Sequence, residues 1–177
     1  MADEQTGSGV TVELMNIRIL PYADEHLLGV RDLILPIQQD EFAIPITYED
    51  QPDLQNIAST YRKGCGEFWV ALDGSDVVGS IALIDFGQRQ AALRKMFVKQ
   101  AYRGREVGVA TKLLETLLSH ARHKNLDEVY LGTTSSFLAA HRFYEKTGFD
   151  LFDEADLPAA FPKMAVDTRF YRYLLTR

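Results

Sequence analysis

The chain has 177 residues, enough for one domain with a sizeable core, and its 46% hydrophobic and 25% charged residues are those of an ordinary globular protein. A formal net charge of -6 argues against broad electrostatic binding to nucleic acid or anionic lipid. Cys65 is the only cysteine, so no intrachain disulfide can form, and no apolar run approaches the roughly 18 residues of a membrane span.

Residues 1–9, "MADEQTGSG", form an acidic, small and polar tail without the basic start and apolar stretch of a signal peptide, so the default expectation is cytoplasmic. Residues 10–177 are expected to make a single domain. Apolar–polar alternation over 12–20 predicts a strand ended by Pro21. Helical spacing from 23 to 42, with Asp24 as N-cap, predicts a helix that Pro36 kinks or divides, because proline has no N–H to donate. A turn-rich connection leads to a second short helix over 54–61, closed by Gly64 and Gly66.

The period then shifts. Runs at 67–72, 77–85 and 91–98, joined by "DGSD" and "FGQRQ", predict three consecutive antiparallel strands. The stripe Val107, Ala110, Leu114, Leu117 and Ala121 predicts a helix over 107–124, with a basic last turn and Asn125 as a left-handed cap. A strand over 128–134 leads to a helix from about 136 to 146, stopped by Gly148, and "FDLF" and "TRFYRYLL" supply the last two strands. That order implies an α/β (α+β) fold with a mixed, mostly antiparallel central sheet and helices on both faces.

One stretch runs against the net charge. Arg94, Lys95, Lys99, Arg103 and Arg105 include no acidic neighbour between them, and Gly104 and Gly108 interrupt the run just before the best helix. The first N–H groups of a helix lack intrahelical partners, the helix dipole adds positive potential, and glycine lets backbone approach a ligand; together these make a phosphate cradle. A solvated basic turn accounts equally well for the composition alone. The spacing matches neither GxGxxG nor a loop ending in Gly-Lys-Ser/Thr.

The same residues resemble the GNAT superfamily of acetyl-CoA-dependent N-acetyltransferases. Its signature, Arg/Gln-x-x-Gly-x-Gly/Ala, is matched by Arg105-Glu106-Val107-Gly108-Val109-Ala110, with Leu113 and Leu114 following. "MFV" at 96–98 resembles the end of the family's central strand, and "AAHRFYEKTGF" at 139–149 resembles its second landmark helix. The resemblance implies an acyl-CoA N-acyltransferase fold and acetyl-CoA as co-substrate, without a metal. It places the coenzyme pyrophosphate on Arg103, Gly104, Arg105, Glu106, Val107, Gly108, Val109 and Ala110, with Lys99, Arg103 or Arg105 also assisting the remaining phosphate. Backbone groups of Met96, Phe97 and Val98 would line the pantetheine arm. Where the family often carries an asparagine this chain has Phe137, so Ser136 (or Ser135) is expected to take that contact.

Acetyl transfer needs a neutral amine, an oriented thioester, a site for the oxyanion and a proton for the leaving thiolate. The resemblance makes Tyr144 that proton donor; a tyrosine on the core face of a helix is the plainer reading of its position. No carboxylate lies on 91–98, and Asp85, Glu67 and Glu41 are the candidates for the base, each also at home as an ordinary surface charge. His141 shares the Tyr144 helix face. Cys65 has no basic partner that would activate it. Glu49, Asp50 and Asp53, with Asp153, Glu154 and Asp156, suggest a cationic amine acceptor. The expected partner is a small-molecule or peptide amine, not nucleic acid or membrane, with a homodimer left open. A weakly catalytic acetyl-CoA sensor is the alternative.

Overall fold

The computed structural model describes residues 16–104 and 106–175; the expected tail, the start of the expected first strand and Arg105 lie outside them. Among the described residues seven strands form one sheet, ordered β1-β2-β3-β4-β5-β7-β6. They are β1 (Ile17–Pro21), β2 (Glu67–Asp73), β3 (Asp76–Gly87), β4 (Gln90–Val98), β5 (Glu128–Thr133), β6 (Asp150–Phe152) and β7 (Arg169–Leu174). Every neighbouring pair is antiparallel except β4 with β5, which run parallel, as the strand–helix–strand order requires. Helices α1 (Leu27–Pro36), α2 (Pro52–Gln55) and α3 (Ile57–Tyr61) cover one face, where Val30, Ile34, Leu54 and Tyr61 pack on Phe68, Val70 and Ala82. Helices α4 (Val109–His123) and α5 (Leu138–Thr147) cover the other, where Leu113, Leu117 and Tyr144 join Ile81, Leu93 and Leu131. Alternation along β2, β3 and β5 sends successive side chains to opposite cores, which is why these strands read as nearly continuous apolar runs.

The helix boundaries move where local chemistry competes. Asp24 does not cap a helix. It opens a 3-10 turn, Asp24–His26, whose entry is set by His26 Nδ1 accepting from the Ala23 N–H at 3.0 Å. Pro36 ends α1, and the chain continues as one wide π turn, Ile37–Glu41, closed by Phe42 N–H to Ile37 O at 3.0 Å. The helix expected over 54–61 divides at Asn56, which leaves helical geometry (φ -138, ψ 55). The long helix starts at Val109, two residues later than expected, because Gly108 before it is left-handed at φ 69. Asn125 adopts the left-handed conformation expected of it (φ 59), and Gly148, which stops α5 as expected, is left-handed too (φ 107).

Two irregularities in the sheet create the gap that matters for function. The β4–β5 pairing stops after Gln90↔Glu128, Ala91↔Val129 and Ala92↔Tyr130, although β4 runs on to Val98 and β5 to Thr133. On its other side β4 slips against β3: Ser80 faces Phe97 while Ala82 faces Arg94, so β4 carries one extra residue. That residue is Lys95, at φ 52. A non-glycine residue there is uncommon and held only by its surroundings. Ser80 Oγ donates to Lys95 O at 2.7 Å and so pins the bulge from the neighbouring strand.

Candidate active site

The bulge has a direct consequence for the basic residues. Without it Arg94 and Lys95 would point to opposite faces; with it both lie on the face of α1–α3. The Lys95 side chain is 7% exposed, and its Nζ lies 2.8 Å from Gln51 Oε1 and 3.4 Å from Asp53 Oδ2. Asp53 also accepts from Tyr61 Oη at 2.6 Å, and Gln51 exchanges amide hydrogen bonds with Gln38 of the π turn at 2.9 and 3.1 Å. Lys95 therefore does not belong to the anion-binding stretch in which sequence proximity had grouped it. Arg94 leaves that stretch too: its guanidinium donates to Pro162 O at 2.7 Å, on the connection before β7.

What remains of the stretch is a tight loop. Gly108 N–H donates to Gly104 O at 3.1 Å, and the first bond of α4 comes only from Lys112 N–H to Gly108 O at 3.0 Å. The N–H groups of Val109, Ala110 and Thr111 thus precede the helix's own ladder, beside its positive end. Gly104, at φ 106, stands in open space. The Val109 side chain is buried in the core and Glu106 is exposed, so what this turn offers a ligand is backbone. The loop is tied to the end of β4 by Arg103, whose Nε donates to Val98 O at 2.7 Å. The Arg103 guanidinium is gripped on its other side by both oxygens of Glu41, with Nη2 at 2.8 Å from Oε2, and the Glu41 carboxyl is lowered chiefly by this bond. Lys99 is exposed nearby.

Across the gap, Tyr144 on α5 is 7% exposed and packs against Phe149 and Tyr171. Its hydroxyl points at Met96 Sδ, 3.6 Å away, bringing together two residues 48 apart in sequence. Burial raises its pKa well above that of an ordinary phenol, which keeps the proton on the oxygen at any physiological pH. Met96 faces Tyr144, Phe97 packs on the α1–α3 side and Val98 is buried. Ser136 is exposed before α5, with its hydroxyl 2.9 Å from that of Thr134. Phe137 packs against Phe42 with ring centroids 4.4 Å apart and planes tilted by 54°, joining the end of the π turn to the start of α5.

The other candidates are accounted for by local structure. Asp85 accepts from the N–H groups of Cys65 and Gly87 at 2.8 and 2.9 Å, which outweigh burial and lower its pKa. Glu67 accepts from Arg62 Nε at 2.7 Å. His141 is buried with Nε2 2.8 Å from Thr134 O, fastening the turn before its own helix. The Cys65 thiol is pushed up by burial and by Asp85, the opposite of an activated nucleophile. Asp50 accepts from Thr47 N–H within its own turn, Asp153 from Ala155 N–H, and Glu154 pairs with Lys163. Among the described residues no three His, Cys, Asp or Glu side chains group to hold a metal, and no helix is long and apolar enough to cross a membrane.

A parallel strand pair that splays open, a backbone loop at a helix start beside the gap, and a buried tyrosine over the open strand define an acyltransferase-type fold. The acetyltransferase (GNAT) family matches residues 31–149, and the chain belongs to that family. A crystal structure of a GNAT-family acetyltransferase from Staphylococcus aureus Mu50 superposes with a TM-score of 0.86 at 39% identity, over 90% of this chain and 99% of that one. PaiA N-acetyltransferase from Thermoplasma acidophilum, solved with coenzyme A, shares the fold at a TM-score of 0.71 and 17% identity over 90% of this chain and 99% of its own. Among curated proteins, N-acetylaspartate synthetase of Danio rerio is 35% identical over 106 residues, covering 59% of this chain and 37% of its own. N-acetyltransferase family 8 member 2 of Rattus norvegicus is 33% identical over 104 residues, covering 56% of this chain and 45% of its own. The chain thus spans less than half the length of these curated relatives.

The Lys95 environment makes a pH-dependent prediction. Burial lowers its pKa despite the attraction of Asp53, while the unfolded side chain holds its proton to about 10.4. Between those two values the unfolded chain binds more protons than the folded one, so this group makes stability rise with pH there. The unfolding free energy of wild type minus that of Lys95→Met should therefore climb as pH rises toward about 10.4, the unfolded value, and flatten at pH below the lowered folded value. Urea unfolding of both proteins across that range checks it; a flat difference throughout means the lysine is not desolvated.

Proposed function

We propose that the chain is an acetyl-CoA-dependent N-acetyltransferase that transfers the acetyl group to a primary amine of a small molecule or peptide, by direct attack in a ternary complex. The single observation that carries this reading is the Tyr144 hydroxyl over Met96, at the point where β4 has left β5. Acetyl-CoA supplies an activated thioester when bound. The N–H groups of Val109 and Ala110, with the turn from Gly104 through Glu106 and Val107 to Gly108, are suited to its pyrophosphate; Arg105 belongs to the same motif. Because Glu41 already neutralises much of the Arg103 charge, backbone donors carry the larger share of that contact. The open edge of β4 from Met96 to Val98 offers main-chain groups to the pantetheine arm and to the thioester carbonyl. Ser136 stands near the start of α5 for the same arm.

The acceptor amine, once neutral, bonds to the carbonyl carbon; as the carbon–sulfur bond breaks, Tyr144 gives its proton to the sulfur and later regains one from the amine through solvent. Direct attack is supported by the lack of an activated nucleophile: the Cys65 thiol is pushed up and His141 is bound to Thr134 O. N-acetylaspartate synthetase among the relatives supports an amine acceptor of small-molecule size. The fold and its relatives favour a single catalytic domain in which turnover, rather than sensing, is the role of the bound thioester.

Two measurements test this. Gly108→Asp puts a carboxylate at the helix start; aspartate tolerates the left-handed region better than most residues, so the fold should survive. Calorimetry should show coenzyme A affinity falling at least about tenfold, and unchanged affinity would remove the loop from the site. Tyr144→Phe keeps the ring and loses only a weak contact to sulfur. Its kcat should fall about 100-fold with coenzyme A affinity within about twofold; full activity would return Tyr144 to a packing role.

A further inference from the structure

The face of the sheet opposite α4 and α5 carries two charges that no part of the mechanism above uses. In the parallel register Ala92 stands beside Tyr130, so the next same-face positions are Arg94 on β4 and Gly132 on β5, where the strands have parted. Asp167, just before β7, lies directly over Gly132: a Cβ there would come within 2.5 Å of Asp167 Oδ2 and 2.6 Å of its Cγ. Only glycine leaves room for that carboxylate. Asp167 Oδ2 accepts from Met164 N–H at 2.9 Å, which orients it. Arg94 is oriented in turn by Pro162 O on the same connection.

Both side chains are half-buried, and they feel each other: the Arg94 charge acts on Asp167 against the burial that raises the carboxyl. Yet no ion pair within 4.0 Å joins them, and among the described residues Arg94 has no acidic partner at that distance. An arginine and a carboxylate this placed, each fixed by a single backbone group and facing across an open seam, are complementary to a ligand carrying both charges. Nearby Asp53 is no competitor, because Lys95 and Tyr61 already hold it.

We infer that Arg94 and Asp167 form a receptor for a zwitterionic acceptor, a free amino acid whose carboxylate docks on Arg94 and whose amino group docks on Asp167 beside the β4–β5 opening. The inference rests on the N-acetyltransferase reading for its role but not for its binding. It narrows the acceptor class: an amine without a nearby carboxylate, or the end of a peptide whose first carboxyl is an amide, leaves the Arg94 fork without its partner.

The test uses matched sets: each common amino acid, its amide and its decarboxylated amine, assayed for thiol release from acetyl-CoA and, separately, for binding to the coenzyme A complex by calorimetry. The free acid should be preferred by about 10- to 100-fold, the worth of a charge-assisted bidentate contact. Arg94→Gln should abolish that preference through KM while leaving the poorer amide within about twofold, and Arg94→Lys should restore part of it. Asp167→Asn and Gly132→Ala should each weaken acid and amide alike, since both lose the amine contact. A wild-type preference for amides or simple amines, or an Arg94→Gln variant that loses acid and amide equally, overturns the inference. Binding of free acids without thiol release sinks the enzyme reading and leaves the receptor standing; thiol release with no acid preference does the reverse.

Discussion

One extra residue in β4 organises the molecule's working part. Lys95 occupies a left-handed conformation that costs a non-glycine residue on the order of 1–3 kcal/mol, and the surroundings hold it there from both ends. Ser80 on β3 bonds its carbonyl, while Gln51 and Asp53 bond its amine. Gln51 is in turn locked to Gln38 in the π turn that follows Pro36. The bulge, the start of the short helix α2 and the π turn after α1 are therefore one connected polar unit inside an otherwise apolar layer. Such a unit is stable only when its members are all satisfied, and these are.

That unit also explains how one strand serves two partners. The separation of β4 from β5 leaves main-chain groups of Met96 to Val98 without a strand neighbour on that side, next to the loop at 103–110 and under Tyr144. On the far face the same strand presents Arg94 toward Asp167. The π turn touches the other side of the gap as well, through Glu41 on Arg103, and Phe42 just after it meets Phe137. Both halves of the gap are thus braced by one short segment, so neither loop hangs on its own connections.

Much of this was legible in the sequence where chemistry leaves a local mark. Asn125 announced a left-handed helix end and Gly148 a helix stop, the leucine stripe announced α4, and the glycine-spaced basic motif with Phe143-Tyr144 announced the family. The parts that were not legible depend on register or distance. Nothing in "LRKMFV" says that its lysine is the extra residue, so sequence proximity groups Arg94 and Lys95 with Arg103, although Lys95 is held by Gln51 and Asp53 and Arg94 by Pro162 O. Asp167 sits 35 residues beyond Gly132, and only the sheet brings them together. Of the acidic residues that suggest a cationic acceptor, Asp50, Asp53, Asp153 and Glu154 are engaged by Thr47, Lys95, Ala155 and Lys163, partners that spacing does not reveal.

Consider β4 without its bulge. Strict alternation from Leu93, which is in the α4–α5 core, would turn Lys95 into that core and send Met96 away from Tyr144. Phe97 would leave the α1–α3 layer, where it packs, and Val98 would lose its buried place among Val109 and Leu113. A lysine amine in the apolar layer would cost several kcal/mol with no partner to offset it. The regular strand therefore fails on both faces at once, whereas the bulged strand places the charge beside Asp53 and every apolar residue in a core. The irregularity that opens the sheet for chemistry is the same one that the apolar pattern of 93–98 demands.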